Sequence, residues 1–297
     1  MSNNLKQNME GFWGQNAPLM DINASYMDAN AVLMGAPFDS TTSFRPGARF
    51  GSRAIRSEFY GLETYSPYQQ KDLAECSIFD SGDLELPFGS PADALEVIRE
   101  RAALVLKDGK LPFLLGGEHL VSLGAIEASV CRYPDLHLIH FDAHADLRDE
   151  YLGVKLSHAC VIRRAWDLLG DGRIFQFGIR SGDQAEFRWA PGRVSTQMFD
   201  FTGLAETVDR LAGKPVYLTV DLDVLDPSCF PGTGTPEAGG VSFLALLEAV
   251  LLVCGGANVV ACDVTELAPM LDPSGVSAAA ACKLVREMLI ALCGAGA

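Results

Sequence analysis

The chain is short of positive charge. Its 297 residues hold 23 Lys and Arg against 38 Asp and Glu, a formal net charge of −15. No basic stripe occurs, so nucleic acid is not an expected partner. The acidity suits metal ions or a cationic substrate, and it equally serves solubility. No apolar run is long enough to span a bilayer, and no membrane partner is expected. The polar start Met1-Ser2-Asn3-Asn4-Leu5-Lys6 lacks the apolar core of a signal peptide. None of the eight cysteines forms a C-x-x-C pair, and several lie in apolar runs such as Leu251-Leu252-Val253-Cys254. They read as buried free thiols of a reducing compartment, not as a disulfide framework. A cytoplasmic protein is expected. Internal repeats and low-complexity linkers are missing too, which favours one domain.

What is present is ample apolar material: 48% of residues are hydrophobic and 21% charged, enough for a large core. Short apolar runs predict strands at Ala31–Gly35, Pro112–Leu115, Leu136–Phe141, Arg173–Gly178, Val216–Val220 and Asn258–Cys262, with Ser77–Asp80 as a further candidate. Most are apolar throughout, as strands covered on both faces are. Between them lie helical patterns. The clearest starts at Ser90, with Pro91 at the first helical position. It places Leu95, Ile98, Ala102 and Val105 on one face and stops at Gly109. Other helices are expected near 120–131, 158–169, 242–253 and 277–292. Such alternation predicts a mostly parallel sheet covered by helices on both faces. Residues 1–30 read as an N-terminal extension, and 31–297 as a single catalytic domain.

In open α/β sheets ligands bind beyond the carboxyl ends of the strands. Four strand candidates deliver acids or histidines there. They lead into Gly116-Gly117-Glu118-His119, Asp142-Ala143-His144-Ala145-Asp146, Asp221-Leu222-Asp223 and Asp263-Val264-Thr265-Glu266. Carboxylates can bridge two cations and neutralise their charge. His119, Asp142, His144, Asp146, Asp221 and Asp223 therefore predict a pair of divalent ions. Two histidines among four aspartates form an oxygen-rich set that favours Mn²⁺, with zinc, iron, cobalt or nickel as alternatives. A water shared by two such ions ionises near neutral pH and becomes a nucleophile. His137 and His140 sit within a strand and read as packing or supporting residues.

At these residues the chain resembles the ureohydrolase (arginase/agmatinase) family, from about Val32 to the C-terminal helix. The likeness includes Phe44-Arg45-Pro46-Gly47-Ala48-Arg49-Phe50-Gly51, the His119 and Asp142–Asp146 motifs, and Phe177-Gly178-Ile179-Arg180-Ser181-Gly182. Its most specific part is Asp221-Leu222-Asp223-Val224-Leu225-Asp226-Pro227 followed by Pro231-Gly232-Thr233-Gly234-Thr235-Pro236. Within the family the chain is most similar to bacterial agmatinases. The resemblance implies an arginase-like three-layer α/β/α sandwich, in trimers or hexamers. It implies two Mn²⁺ per subunit: His119 and Asp146 on one, His144 and Asp223 on the other, Asp142 and Asp221 bridging. It implies His158 as the proton-shuttling histidine and Glu266 as partner of the guanidinium group, with Asp146 or His158 handling the proton as the amine leaves. A metal-bridging hydroxide would attack the guanidinium carbon. Departures are Ala159 after the shuttle histidine, where many relatives have glycine, and Ala145 where many have threonine.

The segment Leu147-Arg148-Asp149-Glu150-Tyr151-Leu152-Gly153 follows the Asp142–Asp146 motif. Asp149 and Glu150 would repel a carboxylate and favour an ammonium group, so agmatine is the expected substrate, giving putrescine and urea. Arg148 points the other way, since it could receive an acidic tail such as that of guanidinobutyrate. Guanidine and arginine are further alternatives. A non-catalytic metal-binding protein and an unrelated metallophosphoesterase are readings from other classes. Intact His158 and Glu266 speak against the first, and the lack of a basic phosphate clamp against the second.

Overall fold

The computed structural model describes Ile22 and residues 24–293. Most of the expected N-terminal extension, residues 1–30, lies outside the described residues. Eight strands form one sheet: β1 Ala31–Gly35, β2 Ile78–Asp83, β3 Leu111–Leu115, β4 His137–Phe141, β5 Ile174–Ile179, β6 Val194–Met198, β7 Pro215–Asp221 and β8 Asn258–Thr265. Their order across the sheet is β2-β1-β3-β8-β7-β4-β5-β6, and every pairing is parallel. The helices are α1 Gly51–Glu58, α2 Pro91–Lys107, α3 Ser122–Arg132, α4 Val161–Leu169, α5 Gln184–Trp189, α6 Leu204–Arg210, α7 Phe243–Gly256 and α8 Val276–Cys293.

Side chains alternate between the two faces of each strand, and both faces are covered. Ile139, Phe141, Val216, Leu218 and Val220 join one apolar core with α1, α6, α7 and α8. Their neighbours Leu138 and Tyr217 join a second core with α2, α3 and α4. This is why the central strands read as apolar: in β4 and β7 every position after the first is buried. Each fully buried aliphatic side chain contributes about 1.5–3 kcal/mol. The expected face of α2 is buried, from Leu95 to Val105. Ser90 Oγ accepts the Asp93 N–H as its cap, and Gly109 takes φ 72° just beyond its end.

Three differences from the sequence reading have physical causes. β6 has no continuous apolar run, because Val-Ser-Thr-Gln-Met lies at the edge of the sheet with only Val194 buried. β8 does not stop at Cys262 but runs to Thr265. Asp263 is thus mid-strand, fully buried and bonded to Tyr217 and Thr219, so this strand end delivers Glu266. The cysteines are all free, and Cys160, Cys254, Cys262 and Cys282 are buried, but Cys131 is exposed on α3.

The chain leaves β3 through α3 and returns as β4 on the far side of β8 and β7. Strands β3, β8, β7 and β4 are therefore adjacent. Their ends stand level, with Leu115 beside Val264, Val264 beside Val220, and Val220 beside Phe141. The acids and histidines that follow that row converge in one place.

Candidate metal centre

All six residues predicted to face metals meet beyond this row. His119 Nδ1 lies 3.1 Å from Asp142 Oδ2, 3.0 Å from Asp146 Oδ2 and 3.4 Å from Asp221 Oδ2. His144 Nδ1 lies 3.0 Å from Asp223 Oδ2 and 3.5 Å from Asp142 Oδ1. Asp142 thus faces both histidines, one with each oxygen. Donor atoms at right angles around one ion, each about 2.1 Å from it, stand about 3 Å apart. The separations here match that spacing.

Local backbone rules explain the motif spacings. Asp142 Oδ1 accepts the His144 N–H at 2.6 Å, and Asp221 Oδ1 accepts the Asp223 N–H at 2.9 Å. In both D-x-(H/D) pairs the first carboxylate closes a turn over the residue two on. Asp146 at φ 52° and Glu266 at φ 65° take left-handed backbone, strained for residues with a Cβ and found where side chains are re-aimed. Gly117 permits a close approach: a Cβ there would lie 1.9 Å from the Phe38 carbonyl oxygen.

A layer behind holds these groups in orientation. Thr219 Oγ1 donates to Asp263 Oδ1 at 2.7 Å and so accepts from His119 Nε2, 2.9 Å away. Tyr217 donates to the other Asp263 oxygen at 2.6 Å. With Nε2–H engaged by Thr219, His119 keeps Nδ1 on the acids' side, where it would ligate a bound ion. His140 Nε2 meets Asp142 Oδ2 at 2.8 Å, and Gln176 Nε2 reaches His140 Nδ1 at 3.0 Å. Both ring nitrogens of His140 are engaged, so it supports Asp142. His137 packs on Phe175 at the other end of β4.

The electrostatics call for cations. Asp142, Asp146, Asp221 and Asp223 are all buried. Burial and the neighbouring Asp142 charge push Asp146 up to about 7. Burial, Asp223 and Asp142 raise Asp221 well above the usual range. For Asp142 burial works upward too, but hydrogen bonds from His119, His140 and His144 hold it well below. Burial opposes protonation of His119 and His144, yet the surrounding carboxylates raise both. Arg148, the one arginine lining the cavity among the described residues, turns to Asp183 and Glu186, 3.6 Å from each. Two protonated histidines offset at most two of the four buried carboxylates, which leaves a costly excess, and two divalent ions would neutralise the four. His119, His140 and Asp142 form one cluster of closely spaced donor atoms, and Asp142, His144 and Asp223 another.

Above the acids lies a cavity of about 200 Å³, lined by Ser43, Tyr151, His158, Glu186, Thr235 and Glu266 among others. Glu266 Oε1 accepts the His119 N–H at 2.7 Å; burial and Glu118 raise its carboxyl. His158 Nε2 lies 3.2 Å from Ser43 Oγ, and burial lowers its imidazole to about 4, so it is neutral at pH 7. The substrate segment departs from expectation. Asp149 pairs with Arg164 at 3.0 Å on the surface, and Glu150 is exposed; neither lines the cavity. An acid outside the expected set that does line it is Glu186, on α5. It escaped the sequence reading because its only local signal is a capping box with Asp183, which marks a helix start and not a cavity.

A family model described as "Arginase family" matches residues 29–291. The chain belongs to the arginase family. An agmatinase of Halalkalibacterium halodurans is 48% identical over 270 residues, covering 90% of this chain and 93% of that one. An agmatinase of Bacillus subtilis is 47% identical over 266 residues, covering 89% and 92%. A solved structure from Clostridium difficile superposes with a TM-score of 0.89 at 47% identity, covering 91% of this chain and 99% of that one. The arginase-like α/β/α sandwich expected from sequence is the fold observed, and the protein is an enzyme of the ureohydrolase kind. Among the described residues no helix is long and apolar enough to cross a membrane.

Proposed function

We propose that this enzyme hydrolyses agmatine to putrescine and urea with two Mn²⁺ per subunit. The observation that carries the reading is identity near one half, over nine-tenths of the chain, with agmatinases. The cavity supports it. Its acidic wall, Glu186, suits the ammonium end of agmatine. Arg148 is already paired with that wall and with Asp183, and its guanidinium lies 4.5 Å from the centre of the Tyr151 ring. A carboxylate tail would have to compete with both acids for it.

His119, Asp146, His144 and Asp223 would hold the two ions, with Asp142 and Asp221 shared. When bound, the metals supply Lewis acidity and ionise water near neutral pH. The remaining work falls to side chains. Glu266 accepts hydrogen bonds from the guanidinium N–H groups and fixes its plane. Glu186 places the far end, so the guanidinium carbon sits over the acids. Neutral His158, or Asp146, would accept the proton given up by the attacking water and return it to the departing amine. A reducing, cytoplasmic setting and a homotrimer or homohexamer complete the proposal; light scattering after size exclusion tests the subunit count.

The deciding experiment supplies Mn²⁺ and compares urea release from agmatine, arginine, guanidinobutyrate and guanidine. Agmatine is expected to give the highest kcat/KM. Faster release from any of the other three would overturn the assignment.

A further inference from the structure

Glu118 is fully buried beside His119, yet its side chain meets the loop that follows β1. Thr41 donates its hydroxyl to Oε1 at 2.6 Å and its backbone N–H to Oε2 at 2.9 Å. Thr42 Oγ1 donates to Oε2 at 3.2 Å. Among the described residues no Lys, Arg or His forms an ion pair with it. A buried carboxylate persists without a cation only when several donors serve it.

This arrangement has a direction. A hydroxyl has one proton, and Thr41 gives its own to Glu118. Its oxygen is left to accept, and it takes the backbone N–H of His158 at 3.1 Å. That N–H opens the single turn His158–Cys160, where the preceding Ser157 makes no capping bond. An N–H at the start of a helical turn has no partner within it, so Thr41 caps the turn from a distant loop. Two residues further along that loop, Ser43 Oγ lies 3.2 Å from His158 Nε2. One short segment thus grips His158 by its backbone and by its ring, and Glu118 fastens that segment to the end of β3.

We propose that Glu118, Thr41 and Ser43 are positioning residues for His158: Glu118 orients the Thr41 hydroxyl, Thr41 fixes the histidine backbone, and Ser43 fixes its ring. The inference rests on the reading of His158 as proton shuttle. None of the three holds metal, so their loss acts on proton transfer and leaves metal and substrate binding in place.

The test uses the Mn²⁺-loaded enzyme and the variants Thr41→Val, Thr41→Ser, Ser43→Ala and Glu118→Gln. Losing one hydrogen bond of ordinary strength corresponds to about a 3- to 10-fold effect. Thr41→Val and Ser43→Ala are expected to lower kcat on agmatine by that factor, with KM within about 2-fold and manganese content unchanged. Thr41→Ser, which keeps the hydroxyl, restores kcat. A readout independent of turnover is the rate at which diethylpyrocarbonate labels His158, followed by peptide mass spectrometry. It should rise in Thr41→Val, Ser43→Ala and Glu118→Gln and stay at the wild-type rate in Thr41→Ser. Equal labelling in all variants, loss of manganese from Thr41→Val, or a serine variant no better than valine would overturn the proposal. If agmatine is not the substrate, the wild-type urea assay fails by itself while the labelling order still decides the positioning.

Discussion

Thr219 accepts the Nε2–H of His119 at 2.9 Å and passes its own proton to Asp263. The ring is thereby held with Nδ1 turned to the acids, where it would ligate a bound ion. This support behind the metal site leads to the first prediction. Thr219→Val leaves the Nε2–H unpaired and the ring free to tilt. Manganese affinity is expected to fall about 10- to 100-fold, measured by equilibrium dialysis with metal analysis. Thr219→Ser should bind as wild type; serine and valine variants that bind alike would remove this role.

Removing metal should destabilise the fold. Four buried carboxylates lose their partners, and ligand bound only to the folded state stabilises by about 2.7 kcal/mol at 100 times its Kd. Melting followed by calorimetry, with EDTA and then with Mn²⁺ restored, is expected to show a lower Tm that recovers. A Tm indifferent to metal would mean that the acids are neutralised by protons alone.

Glu186 makes a separable prediction about the substrate tail. Its oxygens accept the Leu147 and Asp183 N–H groups, and Arg148 stands 3.6 Å away. Glu186→Gln should raise KM for agmatine about 10-fold, the strength of one charged hydrogen bond. Turnover of guanidine, which has no tail, should stay constant. The same change removes one of the two acids paired with Arg148 and should improve use of guanidinobutyrate. Steady-state kinetics on the three substrates separates these effects, and a uniform loss on all three would contradict the assignment.

His158 sets a pH dependence of stability. Burial lowers its folded value to about 4 from an ordinary 6.5. Between those limits the unfolded chain binds a proton that the folded chain refuses, so stability falls as pH drops from 6.5 towards 4. With EDTA present throughout, His158→Asn should lose less Tm than wild type between pH 7 and pH 5. Parallel losses would show that the imidazole is not held neutral.

The sequence exposed some of this and hid the rest for physical reasons. Acids and histidines at alternate positions after an apolar strand are rare enough to be seen, and Asp142, His144, Asp146, Asp221 and Asp223 were visible in that way. Thr219, Glu118 and Gln176 are ordinary residues in their own segments. Their roles come from pairings such as Thr41 with Glu118, 77 positions apart, and no local pattern encodes those. Asp149 and Glu150 misled because charge near a motif says nothing about where a side chain turns. β6 was missed because an edge strand half open to water need not be apolar.

The level row of strand ends has a consequence for how such an enzyme can change. Asp142 and Asp221 begin where β4 and β7 finish, so a one-residue slip of either strand would turn its carboxylate to the opposite face. Ser43, Tyr151 and Glu186 come instead from loops and a short helix. Mutation can explore the second set while the first is pinned by the hydrogen-bonded ladder. New substrates are thus open to the lineage at the rim of the cavity, and its hydrolytic chemistry is inherited with the sheet.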